Sequence, residues 1–114
     1  MNIKRGEIYL ASLDPVIGKE IAKIRPVVVI SNDIKNTHSG TVSVLPITSQ
    51  KIEKIYPFEV FLPKGTGNLP KDSKAKAGQI RTVDMTRLIS RIGHISDQDM
   101  ARAEMAIKLH LDLR

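Results

Sequence analysis

The prediction of the fold starts from Gly18-Lys19-Glu20-Ile21-Ala22-Lys23-Ile24-Arg25-Pro26-Val27-Val28-Val29-Ile30, a stretch with two halves of opposite character. The first half carries four charged side chains within seven residues: Lys19, Glu20, Lys23 and Arg25. The second half is a β-branched run, which is typical of a buried strand. A charged loop therefore joins a core strand at Arg25, and such junctions place reactive groups on a rigid element. The pattern also fits an ordinary solvated hairpin loop, because most charge runs lie on the surface.

Length and composition predict a single domain that spans residues 1–114. The chain is 41% hydrophobic and 26% charged, a balance typical of globular proteins. It has no cysteine, which excludes disulfides and thiolate chemistry and fits a reducing compartment. No apolar run approaches the roughly 20 residues of a membrane span, and the N-terminus lacks a signal-peptide core. We therefore expect a cytoplasmic protein without a membrane partner.

The charge balance predicts a polyanionic partner. The formal net charge is +6, from 18 basic and 12 acidic side chains, and the pI is near 9.8. In a small domain such an excess favours nucleic acid over a membrane surface, although a merely basic protein has the same composition. The aromatic residues number only four, so a stacking platform with aromatic pairs on adjacent strands is not evident. Contacts to nucleic acid would then depend on Arg, Lys, amide and backbone groups.

Five to seven short strands are predicted from apolar and alternating runs. They cover residues 8–11, 26–31, 42–45 with an extension to 48, 58–62, 73–77 as the weakest, 79–83 and 88–95. Pro46 predicts an edge or a bend, so that Thr48 leaves the strand at an exposed corner. Turns are predicted at residues 31–33 and 36–40.

One long helix is predicted at the C-terminal end. Ser96 is a good N-cap, and acidic residues follow in the first turn. Met100, Ala103, Ile107 and Leu111 recur at helical spacing, as expected for core packing or a subunit face. The fold class is therefore mainly β with a C-terminal helix, in a small antiparallel barrel of the SH3-like kind.

The sequence gives no indication of a metal or cofactor site. His38, His94 and His110 are far apart and lack Cys, Asp or Glu at ligand spacing. The long loop at residues 63–72 lacks the Gly-Lys-Ser/Thr ending of a phosphate-binding loop, and no nucleophile elbow is present.

The candidate reactive residues fit metal-free cleavage of RNA. They are Glu20, Arg25, Thr48, Gln79 and Arg81. Such cleavage needs a base for the 2′-hydroxyl and a group that stabilises charge on the phosphate oxygens. A guanidinium suits the phosphate, because its planar donors match the oxygens, but its pKa above about 12 makes it a poor base. A carboxylate such as Glu20 is the better base, and Thr48 can hydrogen-bond the phosphate.

Taken together, these residues resemble the MazF/PemK family of toxin endoribonucleases of type II toxin–antitoxin systems. The likeness covers nearly the whole chain and keeps order and spacing. Its motifs are Lys4-Arg5-Gly6-Glu7-Ile8-Tyr9, Leu13-Asp14-Pro15, Gly18-x-Glu20, the run from Arg25-Pro26 to Ser31-Asn32-Asp33, Pro46-Ile47-Thr48, Gln79-Ile80-Arg81-Thr82-Val83-Asp84 and Arg87-Leu88. Each short piece is weak by itself, but the set is specific.

The resemblance implies an SH3-like homodimer that cuts single-stranded RNA without the ribosome and leaves a 2′,3′-cyclic phosphate and a 5′-hydroxyl. The principal catalytic residues of the family fall on Arg25 and Thr48, and its proposed base falls on Glu20. The resemblance implies an RNA contact at Gln79. We also predict RNA contacts at Ile17, Lys19, Lys23, Pro46 and Arg81. The implied partner is an antitoxin whose acidic, disordered tail folds across the basic groove.

The chain also departs from the family pattern. Many relatives have Ser-Glu-Gln followed by glycine in the first loop, where this chain has Lys19-Glu20-Ile21-Ala22-Lys23. The recognised RNA sequence therefore cannot be transferred. Some relatives use an acidic residue immediately before the Gln, where this chain has Gly78, and this puts more weight on Glu20 as the base.

Two other functions remain compatible with the sequence. A toxin of related fold poisons DNA gyrase by contact alone, through its C-terminal end, and the Arg25 and Thr48 motifs argue against that reading. A non-catalytic SH3-like adaptor would bind RNA in a salt-sensitive way and release no product.

Overall fold

The computed structural model describes residues 2–13 and 23–114. The strands in these ranges are β1 Glu7–Ser12, β2 Ile24–Val29, β3 Thr41–Thr48, β4 Glu59–Leu62, β5 Ser73–Lys76, β6 Arg81–Asp84 and β7 Leu88–His94. The helices are α1 Asp33–His38 and α2 Asp97–Leu111, and short 3-10 turns cover Thr66–Asn68, Ala77–Gln79 and Met85–Arg87. None of the helices described is long and apolar enough to cross a lipid bilayer.

The strands form one antiparallel sheet in the order β4-β5-β3-β2-β1-β7, and β6 pairs with the first half of β3. β3 is therefore the organising strand, since it pairs with β2 on one side and with β6 and then β5 on the other. Among the described residues the sheet is open, with β4 and β7 at its edges. The predicted mainly β, barrel-like fold with a C-terminal helix is confirmed.

Both faces of the sheet carry a hydrophobic core, because successive side chains of a strand point to opposite faces. Val28, Leu45 and Ile47 belong to the core on which α2 packs. Val27 and Val44 belong to the other core. Side chains that follow this alternation toward the ends of β2 and β3 can therefore be assigned to one face or the other.

The C-terminal helix begins and packs as predicted. The Ser96 hydroxyl accepts a hydrogen bond from the Asp99 amide at 3.0 Å, which caps the helix. Met100 and Ala103 are buried against the sheet, but Leu111 is exposed in the single chain. The apolar stripe is thus core at its start and open surface at its end.

The structure corrects three local predictions. The predicted turns after β2 include a short helix, α1, because Asn32 caps it by accepting from the Lys35 amide at 2.7 Å. Thr48 is not at an exposed corner: β3 runs straight through Pro46, and Thr48 is buried. Pro46 is tolerated where the partner of β3 changes, between Val44 paired with β6 and Ile47 paired with β5.

The third correction concerns Gln79. The alternation of residues 79–83 predicted a strand that starts at Gln79, but β6 starts at Arg81 and Gln79 ends a 3-10 turn. In that turn the Ile80 amide donates to the Ala77 carbonyl at 3.2 Å. Gln79 and Arg81 therefore do not belong to one strand face. After β6, Asp84 caps the 3-10 turn Met85–Arg87 by accepting from the Thr86 amide.

Candidate active site at the ends of β2 and β3

The strand register brings Arg25 and Thr48 to one place. β2 and β3 pair antiparallel, and the paired stretch ends with Val27 opposite Pro46. Arg25 and Thr48 each lie two residues beyond that pair, and by alternation both backbone positions belong to the face of Val27 and Val44. Neighbouring strands lie about 4.8 Å apart, so the two residues lie at neighbouring strand ends.

The environment of Thr48 fits a hydrogen-bond donor. Its side-chain oxygen accepts from the Gln50 amide at 3.1 Å, which fixes the hydroxyl and leaves its proton to donate. Thr48 is only 9% exposed, so little of its surface is open to solvent in the single chain. Burial strengthens a hydrogen bond from the hydroxyl, because water competes less for it.

Lys23 and Arg81 both form hydrogen bonds with the backbone of Leu13, the residue after β1. The Leu13 amide donates to the Lys23 carbonyl at 3.0 Å, and Arg81 Nη1 donates to the Leu13 carbonyl at 3.2 Å. Arg81 lies opposite Val44 and thus shares the face of Thr48. The predicted RNA contacts Lys23 and Arg81 therefore lie close together, with Arg81 also bracing β1.

The remaining sequence-predicted residues divide into two groups. Pro46 is buried in β3, and Gln79 is half-buried in its 3-10 turn. Ile17, Lys19 and Glu20 lie outside the described residues. The predicted base and two predicted RNA contacts therefore remain predictions from the sequence.

A small cavity of about 220 Å³ lies beside Arg25, between the ends of β2 and β3 and the loop before β5. Its polar lining consists of Arg25, Ser49, Lys71 and Ser73. Two cations and two hydroxyls are groups that bind phosphate oxygens. Thr48 does not line this cavity, although its neighbours Ile47 and Ser49 do.

A buried ion pair next to Thr48 was not found from the sequence. Lys74 lies opposite Thr48 in the β3–β5 register, and its ammonium donates to Glu59 Oε1 at 3.0 Å. The same ammonium donates to the carbonyls of Lys51 at 3.0 Å and Lys54 at 3.1 Å. No local pattern in the sequence points to Glu59 as the partner of Lys74.

Opposing effects set the protonation of Glu59. Burial raises the pKa of Glu59, but hydrogen bonds from the Tyr56 amide and the Lys74 ammonium, with the charges of Lys74 and Lys76, lower it by more. The pKa of Glu59 therefore lies below its ordinary value, and the carboxylate is ionised at neutral pH. The loop between β3 and β4 is held by this charged group.

No group of three His, Cys, Asp or Glu that could hold a metal ion occurs in residues 2–13 and 23–114. The polar side chains beside Arg25 in the cavity carry ammonium and hydroxyl groups. Such groups bind a phosphodiester and stabilise negative charge that develops on it.

The comparisons with known proteins agree on one family. The model of the PemK-like, MazF-like toxins of type II toxin–antitoxin systems matches residues 4–111. The endoribonuclease MazF9 of Mycobacterium tuberculosis is 44% identical over 97% of this chain and 98% of its own length.

Two solved structures have the same fold. MazF of Deinococcus radiodurans aligns with a TM-score of 0.85 at 24% identity, over 99% of each chain. A mycobacterial endoribonuclease in complex with its cognate antitoxin aligns with a TM-score of 0.77 at 19% identity, over 99% of this chain and 96% of that one. Since the family model covers nearly the whole sequence, the chain belongs to the PemK-like, MazF-like toxins of type II toxin–antitoxin systems.

Proposed function

We propose that this chain is a toxin endoribonuclease that cleaves single-stranded RNA by attack of a ribose 2′-oxygen on the adjacent phosphorus. The bond to the 5′-oxygen breaks, and the products are a 2′,3′-cyclic phosphate and a 5′-hydroxyl. The observation that carries the proposal is the β2–β3 pairing up to Val27 and Pro46, which brings together the strand ends that carry Arg25 and Thr48. Family membership and the 44% identical endoribonuclease support the reaction class.

Three residues take the catalytic roles. The Arg25 guanidinium binds the non-bridging oxygens and stabilises the charge that they gain in the transition state. The Thr48 hydroxyl donates to one of these oxygens and orients the phosphate. Glu20, five positions before Arg25 in the sequence, accepts the proton of the 2′-hydroxyl, and solvent water donates a proton to the departing 5′-oxygen. No step requires a metal ion.

The RNA is bound along the face around Arg25. Lys19 and Lys23 bind phosphates, and Gln79 and Arg81 contact the nucleotides next to the cut. Ile17 and Pro46 supply apolar contacts to a base or ribose. The net charge of +6 supports binding to a polyanion, so affinity should fall steeply with salt.

The same basic face is the binding site of an antitoxin. An acidic, disordered tail that folds across it would neutralise the cations and exclude RNA. The solved mycobacterial endoribonuclease with its cognate antitoxin supports a partner of this kind. We place both the RNA target and the antitoxin in the cytoplasm.

The active unit is a homodimer of one domain that spans residues 1–114. The support is a set of large apolar side chains that are exposed in the single chain on β7, on the second half of α2 and just after it. They are Ile89, Met105, Leu109, Leu111 and Leu113. A second copy would remove these side chains from water.

The test incubates pure protein with a long single-stranded RNA in EDTA and identifies the ends of the products. Wild type should cut and leave 5′-hydroxyl ends. Arg25→Ala should lose about 10²- to 10³-fold in rate, as expected when a transition-state donor is removed. Arg102→Ala, which removes a guanidinium from α2, should cut at the wild-type rate. A folded Arg25→Ala protein with full activity contradicts the mechanism, and full activity of Glu20→Ala contradicts only the base.

A further inference from the structure

Two aromatic rings are stacked on the loop between β3 and β4. The ring centroids of Tyr56 and Phe58 are 5.5 Å apart, and their planes differ by 4°. The Lys54 ammonium lies over the Tyr56 ring, 4.8 Å from its centroid. Tyr56 is 42% exposed and Phe58 40%, so much of this pair faces solvent. The sequence showed no aromatic pairs on adjacent strands. This pair instead lies on a loop, two residues apart in the chain.

The rings are held in place from beneath. The Tyr56 amide donates to Glu59 Oε1 at 3.0 Å, and the Glu59 amide donates to the Tyr56 carbonyl at 2.9 Å. The Ala77 amide donates to the Phe58 carbonyl at 3.1 Å, which ties the loop to the turn after β5. Lys74 binds the same Glu59 oxygen from within the sheet. An exposed ring pair with a fixed backbone loses little conformational entropy when it binds a ligand.

The ring pair adjoins the candidate active site. Lys74 beneath it lies opposite Thr48. The Phe58 ring lies beside Gly78, where a Cβ would be 3.6 Å from its Cδ2, and Gln79 follows directly. The rings therefore lie at the start of β4, which β5 separates from Thr48 on β3, on the side away from β2 and Arg25.

The surroundings of the rings are more basic than acidic. Lys51, Lys54, Lys74 and Lys76 lie on the loop and on β5, against Glu53 and Glu59, and Glu59 is already paired with Lys74. An RNA strand bound at Arg25 and Thr48 would therefore pass from one cationic region to another. A fixed aromatic surface between cations is the arrangement that binds unpaired bases, since every base has a π-face.

We propose that Tyr56 and Phe58 form a base-stacking subsite for single-stranded RNA, which takes a nucleotide beside the phosphodiester held at Arg25 and Thr48. This inference rests on the proposed endoribonuclease function. The subsite raises affinity for the substrate and contributes little to the bond-breaking step, because its contacts lie away from the scissile phosphate. Stacking at such a site accepts any base, so it adds affinity, and the RNA sequence is recognised by other contacts.

The test uses short RNAs in which the ribose at the cut carries a 2′-O-methyl group, so that binding is measured without cleavage. A 2-aminopurine is placed at each position around the cut in turn. At one position its fluorescence should be quenched on binding by stacking. Phe58→Leu and Tyr56→Leu should remove the quench and weaken binding by about 5- to 150-fold. With cleavable RNA these variants should raise KM and keep kcat within about twofold.

Phe61→Leu is the matched control, because it makes the same change on β4 outside the stacked pair, and it should bind RNA as wild type does. The inference is overturned if the quench and the affinity survive in Phe58→Leu and Tyr56→Leu. It is also overturned if these variants lose affinity only for an acidic peptide, which would assign the rings to a protein partner. Failure of wild type to cut unmodified RNA would instead contradict the proposed function, and the quench measures the subsite separately from that outcome.

Discussion

The loops at residues 49–58 and 63–72 precede and follow β4 and are fixed by different forces. In the 49–58 loop, the buried Lys74 ammonium binds two backbone carbonyls and the Glu59 carboxylate. In the 63–72 loop, Gly67 packs directly on Gly93 of β7. A Cβ on Gly93 would lie 2.5 Å from the Gly67 carbonyl oxygen, so only glycine fits there. The first loop is held by charge and the second by shape.

The two loops should therefore respond to different changes, one to changes of charge and the other to changes of side-chain volume. The buried ion pair of Lys74 and Glu59 depends on protonation and on the presence of both partners, because a buried charge without its partner is costly. A steric fit depends on volume alone and does not change with pH. The loop that carries the proposed base-stacking subsite is therefore the one whose position responds to solution conditions.

Loss of one partner of the buried pair should have the largest effect on stability. Lys74→Met leaves the Glu59 carboxylate and the carbonyls of Lys51 and Lys54 without their main donor. We expect the free energy of unfolding to fall by about 3–5 kcal/mol, measured by urea denaturation. The double variant Lys74→Met/Glu59→Gln should recover part of the loss, because it no longer buries an unpaired charge. A loss of about 0.5 kcal/mol or less would show that the pair does not hold the loop.

A side chain at Gly93 should have the next largest effect. Gly93→Ala drives a methyl group against the Gly67 backbone, and overpacking of this kind costs about 1–3 kcal/mol. Gly78→Ala is the matched control, since its Cβ would meet only ordinary contacts at 3.6 Å and 4.0 Å. The control should stay within about 0.5 kcal/mol of wild type in the same urea titration. Equal losses in the two variants would mean that the close approach is not what fixes the 63–72 loop.

Acid should loosen the charged loop and leave the steric one unchanged. The pKa of Glu59 is lower in the folded chain than in the unfolded one. Its stabilising contribution is therefore complete above the ordinary Glu pKa of about 4.3 and is lost as the pH falls below that value. The effect is smaller than that of Lys74→Met, because protonated Glu59 leaves Lys74 with its two carbonyl acceptors. Stability measured between pH 6 and 3 should fall less in Glu59→Gln than in wild type, whereas Gly93→Ala should follow the wild-type slope.

The sequence predicted the elements whose signals are local. The β-branched run before Ile30 and the capped amphipathic helix after Ser96 predicted β2 and α2, since alternation and capping depend on neighbours in the chain. The family motifs added Arg25 and Thr48, and the fold and the family are confirmed. Their catalytic roles stay predictions.

The features that the sequence analysis missed depend on contacts between distant residues. Pro46 was predicted to bend β3, but the change from β6 to β5 beside it removes the need for its missing amide hydrogen. The pairing of Lys74 with Glu59, fifteen positions away, and the packing of Gly67 on Gly93 have no local signature. Both appear only when the strand order is known.

Loss of an exposed ion pair should change the free energy of unfolding least. It also tests most directly whether burial makes the Lys74–Glu59 pair strong. Arg102 Nη1 on α2 donates to Asp99 Oδ1 at 3.0 Å and to the Phe61 carbonyl at 3.2 Å, and the side chains of Arg102 and Asp99 are 47% and 20% exposed. Water already solvates such groups and salt screens them, so Arg102→Gln should lower the free energy of unfolding by at most about 1 kcal/mol. Urea titrations at low and high salt should show this small loss shrinking further, whereas the loss in Lys74→Met should persist in salt. If Arg102→Gln cost as much as Lys74→Met, the number of hydrogen bonds, and not the exclusion of water, would determine how firmly a cation holds this fold together.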